Sequence, residues 1–203
     1  RYINRNHQLR ITMRGEWCYF KSYLPANVCK HIIDTALTRE PSEAQIGTDA
    51  GIKADDSFRR SSIRFVNQGD AELGFVFDEL WKLAIRANQE WFDVHISKID
   101  YYQIAEYDGE RRGEYKTHHD IFYINGDPYY HRKLSCVIQL SDPADYKGGD
   151  LTFEHVAAYP NAEEMRQKGT VIFFPSFVRH AAQPVTEGKR YSIAAWFDGP
   201  KWR

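Results

Sequence analysis

The sequence predicts a mainly β protein in which two helices precede a series of short strands. Apolar residues recur at helical spacing only in the first half, where they predict one helix that begins near Pro25 and a second over about residues 70–92. After about residue 96 the pattern changes to alternation, and Gly and Pro separate the apolar runs, which is typical of strands and turns. The predicted strands are 97–107, 115–123, 134–140, 150–155, 170–174 and 190–197. Short strands with regular turns favour a closed or double-sheet β architecture.

The elements before residue 96 follow from local signals. Residues 16–23 alternate loosely with aromatics and predict a strand, and residues 61–66 predict another. Pro25 suits a first helical turn, because proline lacks the N–H that would have no partner there. Residues 39–58 are polar and contain glycines, so we expect a long loop, a type of segment that often covers a binding site.

Length and composition favour one folded domain with no nucleic-acid partner. A chain of 203 residues with 42% apolar residues fits a single domain over residues 1–203, with helical support at about 17–95 and a β core at about 96–203. The formal net charge is −1, whereas proteins that grip phosphates usually carry a basic surplus. We expect the basic pairs on solvated surface: Arg59-Arg60, Arg111-Arg112 and Arg132-Lys133.

The cysteines and the lack of long apolar runs bear on the compartment. Cys18, Cys29 and Cys136 are odd in number and form no CxxC, so neither a disulfide framework nor a cysteine zinc site is expected. No apolar run approaches the ~20 residues needed to cross a membrane, and residues 1–14 lack a signal-peptide core. The expectation is a soluble, cytoplasmic protein without a membrane partner; the oligomeric state stays open.

Two separated segments supply a candidate metal site. His118 and Asp120 stand two apart on a predicted strand and therefore project from the same face. One imidazole and one carboxylate form two thirds of a facial triad, the site type that leaves positions open on non-haem Fe(II). The bare His-x-Asp pattern is common by chance, but His180 follows a later apolar strand and offers the third ligand.

Arg190 opens the last predicted strand and is expected to point inward with Ser192. A buried guanidinium is costly unless an anion meets it, and no acidic residue shares that strand face. The missing anion is either a bound carboxylate, which suits the planar fork of Arg, or a distant Asp or Glu. Ser192 would add a hydroxyl donor to a bound ligand.

From about residue 17 to its end, the chain resembles the prolyl 4-hydroxylase-like branch of the Fe(II)/2-oxoglutarate-dependent oxygenases. The residues that carry the resemblance are, in order, Tyr107, Gly109, Tyr115, His118, Asp120, Gly148-Gly149-Asp150-Leu151, Gly169-Thr170, Phe174-Pro175-Ser176, His180 and Arg190. The resemblance implies a double-stranded β-helix (jelly-roll) core, which agrees with the strand count.

The resemblance also implies roles at matching positions. His118, Asp120 and His180 would bind iron, and Arg190 would hold the distal carboxylate of 2-oxoglutarate; these four form the expected catalytic set. Tyr107 would hydrogen-bond the cosubstrate or line its pocket, or else serve as a core aromatic. The implied cofactors are Fe(II), 2-oxoglutarate and O₂, with ascorbate as a reductant.

The implied activity is hydroxylation of a prolyl residue in a protein or peptide, with release of succinate and CO₂. A hydroxylase of a free amino acid or another small molecule is the first alternative, and a non-catalytic cupin-like metal-binding module is the second. A nucleic-acid demethylase typically has a second Arg six residues after the cosubstrate Arg, where this chain has Trp196. Residues 39–58 and 121–133 are candidates to cover a substrate.

Overall fold

The computed structural model describes residues 15–48, 51–121 and 126–201 and confirms the mainly β fold with flanking helices. The helices are α1 (Ala26–Leu37), α2 (Phe75–Ala87) and the short α3 (Ala162–Met165). The strands are β1 (Cys18–Phe20), β2 (Ser42–Glu43), β3 (Gln45–Thr48), β4 (Gly51–Ala54), β5 (Arg59–Arg60), β6 (Ser62–Asn67), β7 (Tyr101–Asp108), β8 (Glu114–His118), β9 (Tyr130–Gln139), β10 (Tyr146–Gly148), β11 (Leu151–Glu154), β12 (Val171–Pro175), β13 (Arg179–Ala182) and β14 (Val185–Pro200). None of the helices in these ranges is long and apolar enough to cross a membrane.

Two antiparallel sheets form the jelly roll. The major sheet has the order β1-β12-β9-β14-β7-β6-β2, with β10 paired to β14 off this path, and the minor sheet has the order β11-β13-β8-β5. Strands that are distant in sequence are therefore neighbours in space, as when β14 lies between β9 and β7. This topology brings residues from separate segments into one hollow between the sheets.

Because side chains alternate along β14, one face of the major sheet packs against the helices and the other face lines the cavity. Ile193 and Phe197 are fully buried on the outer face, in one cluster with Ile32 of α1 and Leu80 of α2. The residues of the opposite parity face the cavity on the other side: Arg190, Ser192, Ala194 and Trp196. The helices thus cover the outer face, and the inner face is free to carry polar groups.

A second apolar cluster joins the two sheets on the inside. Phe153 of β11 and Phe174 of β12 meet edge to face with ring centroids 5.0 Å apart, and Leu151 and Ile172 pack in the same cluster. Aromatic pairs of this geometry contribute about 0.5–1.5 kcal/mol beyond the area that they bury. The cluster holds β11 and β13 in place beside the hollow.

The helix predictions are confirmed, but the long loop predicted at 39–58 is wrong. β2 pairs with β6, and β3 pairs with β4 in a separate hairpin. Ala44 and Ile46 are buried, so this polar segment has enough inward apolar side chains to form strands. Residues 49–50, and residues 122–125 at the end of the predicted strand 115–123, lie outside the described residues. The predicted covering role of segments 39–58 and 121–133 stays a prediction.

Candidate active site

Strand pairing brings the three predicted metal ligands together. β13 pairs with β8 so that His180 stands directly opposite His118. Asp120 follows β8, where its backbone N–H donates to the carbonyl of Ser176 over 2.8 Å. One ligand atom from each of the three side chains lies within 4.8 Å of the other two. A single ion can therefore contact all three.

Backbone hydrogen bonds fix how both imidazoles face Asp120. Nδ1 of His118 lies 2.8 Å from the carbonyl of Lys116, and Nδ1 of His180 lies 3.0 Å from the carbonyl of Val178. A carbonyl only accepts, so each Nδ1 carries the hydrogen and each Nε2 keeps a lone pair. Each Nε2 lies 3.5 Å from a different carboxylate oxygen of Asp120.

This donor set fits a divalent cation. The two Nε2 lone pairs and the carboxylate repel one another unless a positive charge lies among them. The hydrogen bond from each Nδ1 to a backbone carbonyl is the usual support of a histidine that binds a metal through Nε2. Two imidazoles and one carboxylate form the facial triad that suits Fe(II) and leaves positions open for other ligands.

Burial also prepares the side chains electrostatically. Burial lowers the pKa of His180 to about 4, which keeps this imidazole neutral near pH 7 and able to bind a metal. Burial by itself would raise the pKa of Asp120, but the neighbouring imidazoles and Arg132 outweigh it and hold that pKa below its ordinary value. Asp120 is therefore a carboxylate at neutral pH.

Two buried serines support Asp120, a role that the sequence did not predict for either of them. Ser135 Oγ donates to Asp120 Oδ2 over 2.6 Å and lies 3.0 Å from Ser176 Oγ. Ser135 is only 1% exposed. Its place on β9 follows from the alternation, because residues 135, 137 and 139 share one face. The pairing with Asp120 required knowledge of which strands are neighbours.

Arg190 lies in the same cavity as the triad. The cavity measures about 490 Å³ with its open mouth, and the side chain of Arg190 is only 2% exposed. Its guanidinium donates to Gln139 Oε1 over 2.9 Å, whereas its Nε is buried and finds no hydrogen-bond partner in the described part of the chain. Within the described residues no Asp or Glu forms an ion pair with Arg190, so the distant carboxylate considered from the sequence is absent from these residues.

Tyr107 and Ser192 both line this cavity. The guanidinium carbon of Arg190 lies 5.3 Å from the centroid of the Tyr107 ring, in cation–π range. Tyr107 also belongs to a small apolar cluster, so the cavity-lining and core-aromatic interpretations describe the same placement. Ser192 is buried on the same strand face as Arg190.

Arg59 and Lys133 contradict the surface predictions, since both are buried, Lys133 with 5% exposure. We expected the pair Arg59-Arg60 on solvated surface, but Arg59 is 6% exposed and lines the cavity. Its guanidinium lies over the ring of Tyr115, 4.4 Å from the centroid, and that ring stacks on His118 with centroids 3.5 Å apart. Arg60 points the other way, where it pairs with Glu114. Alternation on β5 makes one arginine of the pair face inward, but a strand of two residues is too short to be recognised from the sequence.

Comparison with known proteins agrees with this geometry. Residues 102–198 match the family model described as the 2OG-Fe(II) oxygenase superfamily, where 2OG denotes 2-oxoglutarate. Together with the triad geometry, this match supports a 2OG-Fe(II) oxygenase. The matched residues include the whole triad and Arg190, which are the parts that the sequence resemblance singled out.

Sequence relatives and solved structures extend the comparison. A PKHD-type hydroxylase of Aliarcobacter butzleri is 30% identical over 90 residues, or 43% of this chain and 39% of the relative. A PKHD-type hydroxylase of Sphingopyxis alaskensis is 40% identical over 77 residues, or 37% of this chain and 34% of the relative. The chain thus spans less than two fifths of either relative's length.

Two solved structures are similar over most of the chain. A prolyl-4-hydroxylase of Pseudomonas putida has a TM-score of 0.69 at 20% identity and covers 90% of this chain and 92% of its own. A prolyl hydroxylase of Trichoplax adhaerens, in complex with a hypoxia inducible factor peptide fragment, has a TM-score of 0.70 at 16% identity. The match covers 90% of this chain and 83% of that chain. At these identities the similarity establishes the fold.

Proposed function

We propose that this protein is a 2OG-Fe(II) dioxygenase that hydroxylates prolyl residues in a protein or peptide, with Fe(II), 2-oxoglutarate and O₂ as cofactors. The observation that carries the proposal is the placement of two imidazole Nε2 atoms and one carboxylate in the same cavity as the buried Arg190, which has no acidic partner among the described residues. Such a cavity suits a cosubstrate with two acidic ends, one that chelates the metal and one that binds the guanidinium of Arg190.

In this proposal His118, Asp120 and His180 hold the iron. A donor set of two imidazoles and one carboxylate would leave coordination positions available for a 2-oxo acid and for O₂. When bound, the iron and the cosubstrate supply the oxidising power, and 2-oxoglutarate leaves as succinate and CO₂. The apolar walls of the cavity keep water away from the reacting groups.

Arg190 selects the cosubstrate in this proposal. Its planar fork can donate two parallel hydrogen bonds to the distal carboxylate, and its Nε, which has no partner among the described residues, supports a role in binding a ligand. Gln139 holds the guanidinium in position over 2.9 Å. Ser192 and Tyr107 complete the wall around that carboxylate.

The choice of a prolyl substrate rests on the named activities of the structural relatives, both of them prolyl hydroxylases. Trp196, which lines the cavity near the triad, offers an aromatic wall of the kind on which a pyrrolidine ring can pack. A free amino acid hydroxylase shares all the cofactor chemistry and is the remaining enzymatic alternative.

The test is formation of succinate from 2-oxoglutarate with Fe(II), with ascorbate supplied as the reductant. We expect turnover by the unaltered protein and none by His118→Ala or Asp120→Ala, because either variant removes a ligand. His119→Ala is the matched control, since His119 is exposed and its neighbours in sequence are the ligands. Turnover retained in a folded ligand variant would contradict the proposal, and a metal-loaded protein that never forms succinate would favour the cupin-like module.

A further inference from the structure

A second buried arginine, Arg59, lines the cavity and is not part of the cosubstrate site. It lies one aromatic ring away from His118, since its guanidinium packs on Tyr115 and Tyr115 stacks on the imidazole. A hydrogen bond to Gln103 Oε1, over 3.2 Å, fixes it from the major sheet. Gln103 stands opposite Ala194 on β14, two residues beyond Ser192 and four beyond Arg190. Arg59 is therefore displaced from Arg190 toward the triad.

Within the described residues, Arg59 donates hydrogen bonds to neutral acceptors only. Nε donates to Ser61 Oγ over 3.0 Å, Nη2 donates to Gln103 Oε1, and Nη1 makes a long contact of 3.4 Å with the carbonyl of Gln45. A guanidinium has five N–H donors, so each terminal nitrogen keeps one hydrogen without an acceptor in the described part of the chain. No carboxylate in that part forms an ion pair with Arg59.

Once the proposed cofactors are bound, Arg59 is a cation of the cavity that has no counter-charge among the described residues and the cofactors. If the proposed cofactors bind, the carboxylates of Asp120 and 2-oxoglutarate neutralise the ferrous ion and Arg190. Arg132 has its own acidic neighbour in Asp198, to which it couples electrostatically. A buried guanidinium without a counter-charge is costly, and its planar fork suits a carboxylate.

We propose that Arg59 binds a carboxylate of the substrate and so restricts this site to substrates that carry a negative charge near the carbon that reacts. The inference rests on the proposed function and specifies its substrate class. Two sources share this chemistry: an Asp or Glu side chain next to the target residue in a peptide, and the α-carboxylate of a free amino acid.

Matched acid and amide probes test the charge requirement directly. The protein is loaded with Zn(II) in place of Fe(II) and with 2-oxoglutarate, so that no probe is consumed, and binding is measured by calorimetry. One arm compares L-proline with L-prolinamide. The other arm compares capped peptides that contain Asp-Pro or Pro-Asp with the same peptides carrying Asn.

We expect at least one acid to bind roughly tenfold or more tightly than its amide, because a hydrogen bond to a charged group contributes about 1.5–3 kcal/mol. Preference in the proline arm identifies the α-carboxylate as the source, and preference in the peptide arm identifies an acidic side chain. In Arg59→Gln the ratio of acid to amide affinity should fall to near one, whereas Arg59→Lys should keep part of it. Arg60→Gln, on the other face of β5, should keep the whole ratio.

The ratio is measured within each variant, so it does not depend on how much of that variant is folded. Equal binding of acid and amide by the unaltered protein would overturn the inference, as would absence of binding by every acid. A preserved ratio in folded Arg59→Gln would also overturn it. Each of these failures leaves succinate formation from 2-oxoglutarate intact, whereas failure of the proposed function abolishes it.

Discussion

Replacement of Ser135 by alanine should weaken metal binding without contact between the altered side chain and the metal. Ser135 Oγ donates to Asp120 Oδ2 over 2.6 Å in a fully buried position. The substitution removes this donor and leaves a carboxylate oxygen inside the protein without its partner. Asp120 then loses both orientation and a hydrogen bond that stabilises its charge.

The size of the effect follows from the type of bond. A hydrogen bond to a charged group contributes about 1.5–3 kcal/mol, and each 1.4 kcal/mol corresponds to a factor of about ten. Loss of a group that orients a metal ligand typically lowers affinity by about 10–100-fold. We therefore expect the dissociation constant for Fe(II), measured anaerobically, or for Zn(II) to rise by about 10–100-fold in Ser135→Ala.

Ser176→Ala provides a matched control. Ser176 Oγ lies 3.0 Å from Ser135 Oγ and holds Asp120 only through its backbone carbonyl, which the substitution keeps. Titration by calorimetry should show a much smaller change for this variant. If folded Ser135→Ala binds Zn(II) as tightly as the unaltered protein, the role given to the serine is refuted.

Two further predictions concern the cosubstrate pocket and the stability of the helical layer. Gly149 has φ +69°, and a Cβ there would lie 2.8 Å from Val185 Cγ2 and 3.0 Å from Arg190 Cδ, so Gly149→Ala should raise the KM for 2-oxoglutarate while Zn(II) affinity stays unchanged. A normal KM in this variant would show that Arg190 tolerates the displacement. The Arg39 guanidinium lowers the pKa of Asp70 from 3.8 to about 2. The Arg39–Asp70 ion pair therefore contributes its full stabilisation of the folded state above pH 3.8 and loses it as the pH falls through about 2. Asp70→Asn should therefore lower the free energy of unfolding by about 1 kcal/mol at pH 7, a value reduced because the pair is partly exposed, and by almost nothing near pH 2. Urea titrations measure both values, and an equal effect at the two pH values would contradict the prediction.

Much of this architecture is encoded in local periodicity. The alternation after residue 96 predicted the strands and the shared face of His118 and Asp120, because side-chain direction on a strand depends only on parity. The same parity predicted that Arg190 points inward with Ser192. Side-chain direction along a strand can therefore be predicted without knowing which strands lie beside it.

The remaining features depend on which strands are neighbours. Ser135 contacts Asp120 only because β9 lies beside the segment that follows β8, and nothing in either local sequence specifies that contact. Arg59 belongs to a strand of two residues, too short for alternation to be read from the sequence. The β3–β4 hairpin was missed for a related reason, since its polar residues mimic a loop and its stability depends on a few buried apolar side chains.

The central claim is that three side chains from separate β segments hold one ferrous ion within reach of a cosubstrate bound by Arg190. Anomalous diffraction at the iron edge, from crystals grown anaerobically with Fe(II) and 2-oxoglutarate, measures this directly. The account predicts one strong peak at coordination distance from Nε2 of His118, Nε2 of His180 and the carboxylate of Asp120, with the distal carboxylate of 2-oxoglutarate on Arg190. Iron bound to other residues, or 2-oxoglutarate bound away from Arg190, would contradict it.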